Sequence, residues 1–228
     1  MPNIVKITTM PSLFDLLAPH SCRGCGRMGS PLCECCKNYI IKHHQNICPN
    51  CKTKTIHGVC PTCSNLPPIF TIDRRDSPIG TLIEDFKFNS NRALAKPLSE
   101  IISQVLPTIK DNVVIVPLPT NTKHIRARGL DHTLLLAKKL AKLRGKNYSV
   151  AQILLRGKNT TQVGTNKKQR LSQAKEAYIL NPKIKVNPQN TYLLLDDVWT
   201  TGASMKSALK KLREAGASKI ILLVLAVS

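Results

Sequence analysis

Residues 193–204 read Leu193-Leu194-Leu195-Asp196-Asp197-Val198-Trp199-Thr200-Thr201-Gly202-Ala203-Ser204. Tyr192 and the three leucines predict a short buried strand, and it runs directly into two carboxylates. A hydroxyl-rich turn with one glycine then leads into residues 203–215, whose pattern predicts a helix stopped by Gly216. The N-terminus of a helix carries unpaired N–H groups and partial positive charge, so the segment Thr200, Thr201, Gly202, Ala203, Ser204 suits a phosphate. Its hydroxyls add donors, and Gly202 lets the backbone come close. Asp196 and Asp197 repel a phosphate, but they can accept hydrogen bonds from the hydroxyls of an adjoining sugar or hold a hydrated magnesium ion. A generic strand and capped helix, with Thr200 or Thr201 as the cap, would use the same residue types.

Working outward, β-branched residues 113–116 predict a second buried strand, ended by Pro117. Apolar positions 79, 82, 83 and 86 have the spacing of an amphipathic helix over residues 79–88. A further helix reaches Val105 and tolerates Pro97 only in its first turn. Residues 133–143 set Leu136, Leu140 and Leu143 on one helical side. Residues 150–155, 192–195 and 220–227 predict strands, and the basic stretch 118–130 reads as a loop. Strands alternating with helices imply an α/β fold with a largely parallel sheet, and ligands on such sheets bind beyond the carboxyl ends of the strands. The loops after Val116 and Leu195 are therefore the ones that matter.

All nine cysteines lie between Cys22 and Cys63. Cys22 and Cys25, Cys33 and Cys36, Cys48 and Cys51, Cys60 and Cys63 form four Cys-x-x-Cys pairs, the spacing that lets two thiolates reach one zinc ion. Eight thiolates suffice for two closed, structural sites. Whether neighbouring or alternate pairs share an ion is not readable from spacing, and Cys35 is left over. His43, His44 and His57 are substitutes of lower rank. Gly24, Gly26 and Gly29 spell Gly-x-Gly-x-x-Gly, but no strand precedes them and Cys25 sits inside the run, so a dinucleotide reading fails. The Cys-rich segment is too short and polar to bury a core without metal. Two parts are expected: a zinc-binding module over residues 1–66 and an α/β domain over 67–228, joined near Asn65 to Pro68.

The formal charge of this 228-residue chain is +21, and residues 113–175 contain fourteen Lys or Arg against one acid, Asp131. Such an excess attracts phosphorylated small molecules or nucleic acid. Aromatic residues make up only 4%, so a stacking platform for single strands is not evident. No stretch approaches the roughly 20 apolar residues that a bilayer requires. Residues 1–10 lack a basic start with an apolar core and Asp15 interrupts the next apolar run, so a cytosolic protein is expected.

The string ending at Ser204 resembles the signature of the type I phosphoribosyltransferases, in which an acidic pair and a Thr-Thr-Gly turn hold a ribose 5-phosphate. The resemblance implies that Asp196 and Asp197 contact the ribose hydroxyls and that Thr200 to Ser204 bind the phosphate; Ser204 stands where that family usually has threonine. The chain as a whole resembles the ComF family, known for a role in DNA uptake by competent bacteria. Pro31 to Cys36, Val116 to Pro119, Arg128 to Leu130, and Thr161 to Tyr178 with Gln162, Arg170, Ala177 and Tyr178 carry that likeness. The family commonly has Phe-Asn-Gln after Arg-Gly, whereas this chain has Leu130, Asp131 and His132. By resemblance, backbone groups near Leu118, Pro119 and Thr120, with Arg126 or Arg128 and a bridging magnesium, would bind pyrophosphate. The segment from Gln162 to Arg170 would close as a lid. Three functions follow as expectations: a magnesium-dependent phosphoribosyltransferase of unknown acceptor, a phosphoribosyl pyrophosphate sensor without turnover, and a single-stranded DNA-binding component of the uptake machinery.

Overall fold

Val113, Val114, Ile115 and Val116 are all buried, as a strand covered on both faces requires, and they form β2 (Val113–Pro117). The computed structural model describes residues 20–63, 66–89, 91–157 and 177–228, without the side chains of His124 and Arg128. The readings at residues 1–10 and Asp15, at Asn65 and at 161–176 lie outside the described residues. β2 sits in a five-stranded sheet of order β1-β7-β6-β2-β3, with β1 (Ile69–Arg74), β3 (Tyr148–Val150), β6 (Thr191–Trp199) and β7 (Lys219–Val227). Every pairing in it is parallel. The expected α/β class with a parallel sheet is what the chain adopts.

Side-chain alternation along the strands divides the core in two. Leu193, Leu195 and Ile115 face a layer made by α2 (Pro78–Phe88), α3 (Ala95–Val105) and α5 (His132–Arg144). Tyr192, Leu194 and Val116 face α6 (Ala203–Glu214) and a two-stranded antiparallel ribbon of β4 (Leu154–Arg156) and β5 (Tyr178–Leu180). Pro97 lies in the first turn of α3, where its missing N–H has no partner to lose. From β2 the chain leaves through α5 to β3 on one side; from β6 it leaves through α6 to β7 on the other. The two crossovers part between β2 and β6, which opens a crevice at their carboxyl ends. Leu195 pairs with Pro117 at the end of β2, whereas Asp196 to Trp199 continue alongside β7 alone. Both carboxylates therefore stand beyond the end of β2.

Three elements differ from the sequence reading. Residues 118–130 are not loop throughout: they contain α4 (Thr122–Arg128), which Asn121 caps by accepting the Lys123 N–H and Gly129 ends with φ 64°. Its lack of an apolar stripe hid a helix whose caps were in plain view. The single strand expected over 150–155 is two, because the chain leaves the main sheet after Val150 and enters the ribbon at Leu154. The strand after Tyr192 runs on to Trp199, since β7 offers a partner there.

The Cys-rich segment, with α1 (Glu34–His43), lies along the open edge of β1. Thr71 N–H donates to Asn46 Oδ1 at 2.9 Å, Gln45 N–H donates to Ile72 O at 2.9 Å, and Ile69 N–H donates to Gly58 O at 2.8 Å. An edge strand would otherwise present these groups to another chain. Cys22, Leu32 and Ile40 belong to the same buried cluster as Phe70, Leu82 and Leu98. Arg23 pairs with Asp85 at 2.8 Å, and Lys37 pairs with Glu100 at 2.5 Å. If the segment's fold depends on metal held by its cysteines, as its length and polarity lead one to expect, a chelator should speed amide hydrogen exchange at Thr71 by tenfold or more, read by exchange mass spectrometry. Unchanged protection there would show that the segment holds β1 without metal.

Candidate functional site

Asp196 and Asp197 are neighbours on an extended strand, so their side chains leave it toward opposite faces. Asp196 turns to the α6 side. It lines a hollow of about 40 Å³ with Val198, Trp199, Thr200, Thr201, Gly202, Ala203 and Ser204. One water needs roughly 10–15 Å³, so this space has room for about three waters or a small polar group of that size. Gly202 has φ 72° and is the N-cap of α6; having no side chain, it cannot cap the helix. A Cβ at Gly202 would also fall 2.3 Å from the buried Trp199 ring. Thr201 Oγ1 lies 3.4 Å from Ala203 N, the far limit of a hydrogen bond. The first turn of α6 is thus open to an anion.

The ribbon adds polar groups on the same side. Ser204 is hydrogen-bonded to Tyr178 of β5, and the Arg156 guanidinium of β4 sits 5.3 Å over the Tyr178 ring. Burial, and then the charge of Asp197, push the Asp196 carboxyl from its ordinary 3.8 up to about 7, against the Asp197 N–H and the cations Lys87 and Arg156.

Asp197 turns the other way and is 8% exposed. Lys87 at the end of α2 donates to its Oδ1 at 2.7 Å. His132, the first residue of α5, donates to Oδ2 through Nε2. Burial works to raise this carboxyl, but the His132 hydrogen bond and the Lys87 charge outweigh it and hold Asp197 below the ordinary carboxylate range. Sequence reading did not find Lys87: it lies about 110 positions from Asp197, and a lysine at a helix end is usually solvated.

The loop after β2 reaches the crevice less evenly than its motif suggests. Leu118 is buried and its N–H donates to Leu195 O at 2.9 Å, and Pro119 has no N–H, which leaves the amide of Thr120. The Thr120 hydroxyl donates to Asp131 Oδ1 at 3.3 Å, and Asp131 in turn caps α5 by accepting the Leu134 N–H. Arg126 is exposed on α4; the side chain of Arg128 lies outside what is described.

The eight paired cysteines form two groups, Cys22, Cys25, Cys33 and Cys36, then Cys48, Cys51, Cys60 and Cys63, each with its sulfurs within 4.8 Å of one another. Neighbouring pairs therefore meet, which answers the question that spacing left open. Two zinc–sulfur bonds of about 2.3 Å in a tetrahedron set the sulfurs about 3.8 Å apart; Cys25 and Cys33 are 3.7 Å apart, and Cys51 and Cys60 are 3.4 Å apart. N–H groups support the thiolates, from Cys33 to Cys22 Sγ at 3.3 Å and from Cys63 to Cys60 Sγ at 3.2 Å. Each group could hold a zinc ion in a closed, structural site. Cys35 is exposed and outside both groups.

No family model matches the chain. It is 24% identical over 223 residues to competence protein ComFC of Streptococcus pneumoniae, covering 94% of this chain and 91% of that one. Competence protein ComFC of Bacillus subtilis is 26% identical over 204 residues, with 81% and 79% covered. Competence protein F of Haemophilus influenzae is 28% identical over 226 residues, with 92% and 96% covered. Among the described residues, no helix is long and apolar enough to cross a membrane.

Folding lifts the Asp196 carboxyl, so its ionisation opposes folding: the associated stability is complete below about pH 4 and lost as pH rises through 7. Asp196→Asn removes that loss. Its melting temperature, measured by calorimetry, should gain on wild type from pH 4 to pH 7 and then hold a constant lead; a difference that ignores pH over this range would contradict the assignment.

Proposed function

We propose that this chain, which belongs to the ComF family, binds a phosphoribosyl pyrophosphate-type ligand in the crevice between β2 and β6 and serves DNA uptake. The relatives' names as competence proteins support the biological setting. The observation that carries the ligand reading is the uncapped, glycine-entered N-terminus of α6 directly behind an acid that faces the same hollow. A sugar with a phosphate at one end and free hydroxyls on its ring is suited to that combination. Thr200, Thr201 and Ser204 with the N–H groups of the turn hold the 5′-phosphate, and Asp196 accepts from the ribose hydroxyls.

The pyrophosphate lies toward Thr120, with Arg126 on the neighbouring helix to balance its charge. Magnesium fits an oxygen donor set of Asp196 and the ligand's own phosphates, and when bound it would neutralise the leaving group. Transfer to an acceptor would break the bond between ribose C1 and pyrophosphate; the protein's part is to orient the sugar and stabilise the departing charge. A ligand sensor without turnover uses the same contacts.

A second reading, single-stranded DNA binding, is favoured by Lys206, Lys210 and Arg213. They follow the phosphate turn along one side of α6 and line a groove shared with Cys63 of the second cysteine group. Lys210 is 3.8 Å from Glu214, an exposed pair of small worth.

Calorimetric titration with phosphoribosyl pyrophosphate should show magnesium-dependent binding, weakened at least tenfold by Gly202→Ala; equal affinity in the variant would remove the phosphate turn from the site. Parallel measurement of pyrophosphate release separates transferase from sensor. If the α6 groove takes DNA, affinity for an unstructured oligonucleotide should fall steeply with salt, and Lys206→Glu with Arg213→Glu should flatten that slope. An unaltered slope would place DNA elsewhere.

A further inference from the structure

The family pattern expects both acids to face the sugar, yet both oxygens of Asp197 are already engaged by Lys87 and His132. We propose that Asp197 is the hub of a buried clamp, that Lys87 and His132 are positioning residues acting through it, and that Asp196 alone meets the ligand. This deepens the sugar-phosphate reading above and rests on it for its last clause.

Each member of the clamp comes from a different element: the end of α2, the start of α5 and the tip of β6. His132 is 4% exposed, and Phe86 meets its ring edge-on at 6.0 Å. With Nε2–H donating to Asp197, its Nδ1 is left buried without a partner among the described residues. An unsatisfied buried acceptor is a cost that a solvated histidine would not bear. The ring is held where it is by the carboxylate.

The clamp also reaches the other half of the crevice. Asp131, the residue before His132, accepts from the Thr120 hydroxyl, so the first turn of α5 joins the loop after β2 to the tip of β6. Asp131 and His132 are the two positions where the chain departs from the Asn-Gln of its family. Here they turn inward as braces, setting the distance between Thr120 and Asp196.

The test uses the full chain with its metal sites loaded. Asp196→Asn should weaken phosphoribosyl pyrophosphate binding in magnesium by tenfold or more while melting no lower than wild type. Asp197→Asn should melt lower, because it strands the Lys87 charge, and adding Lys87→Met should restore most of that loss. Nitrogen NMR should find His132 as the tautomer protonated at Nε2, with a downfield, slowly exchanging proton that Asp197→Ala abolishes. His132→Asn, which retains a donor, should keep more affinity than His132→Leu. Loss of binding in Asp197→Asn without loss of melting temperature, or an exposed fast-exchanging His132, would overturn the clamp. Wild-type protein that binds no ligand would defeat the sugar-phosphate reading instead, and the melting and NMR arms would still decide whether the clamp exists.

Discussion

A carboxylate buried at the tip of the central strand constrains everything around it. Asp197 cannot stay ionised away from water without a cation and a hydrogen-bond donor. Lys87 and His132 supply both, but only when α2 and α5 pack on the same face of the sheet with their ends at the carboxyl edge of β6. Breaking such a pair on one side costs about 3–5 kcal/mol in comparable buried settings, a large part of the stability of an ordinary domain. The local sequence at Asp197 thus has a global requirement. It is met by apolar stripes on α2 and α5 that seat Leu82, Ile83, Leu136 and Leu140 in the core.

Alternation along β6 gives the two acids opposite fates. Asp197 is closed in by the helical layer, whereas Asp196 opens on the α6 side, where the chain has no cap for its own helix. Uncompensated N–H groups and an acid of raised pKa in one hollow are a poor arrangement for stability and a good one for a sugar phosphate. The Cys-rich segment contributes at a distance by covering β1, one of the two edge strands of the sheet.

Much of this was legible in the residues. β2 announced itself by four β-branched residues and a terminating proline, α6 by Gly202 and Gly216, and Pro97 marked the first turn of α3. Cysteine spacing predicted two metal sites but not their pairing, because spacing is blind to which knuckles fold together. The short α4 was obscured by charge, and β3 and β4 merged in the reading because nothing in Ala151 to Ile153 signals a change of sheet. The division of labour between Asp196 and Asp197 could be suspected from strand alternation alone. Its cause, Lys87, could not, since a contact spanning half the chain is set by tertiary packing.

The central claim is that the turn before α6 holds a phosphate while Asp196 faces the attached sugar. A crystal structure of the chain soaked with ribose 5-phosphate tests it most directly. The account predicts the phosphate on the N–H groups from Thr201 to Ser204, the ribose hydroxyls within hydrogen-bond reach of Asp196, and Asp197 still joined to Lys87 and His132. Phosphate density elsewhere, or ribose hydroxyls on an Asp197 released from both partners, would contradict it.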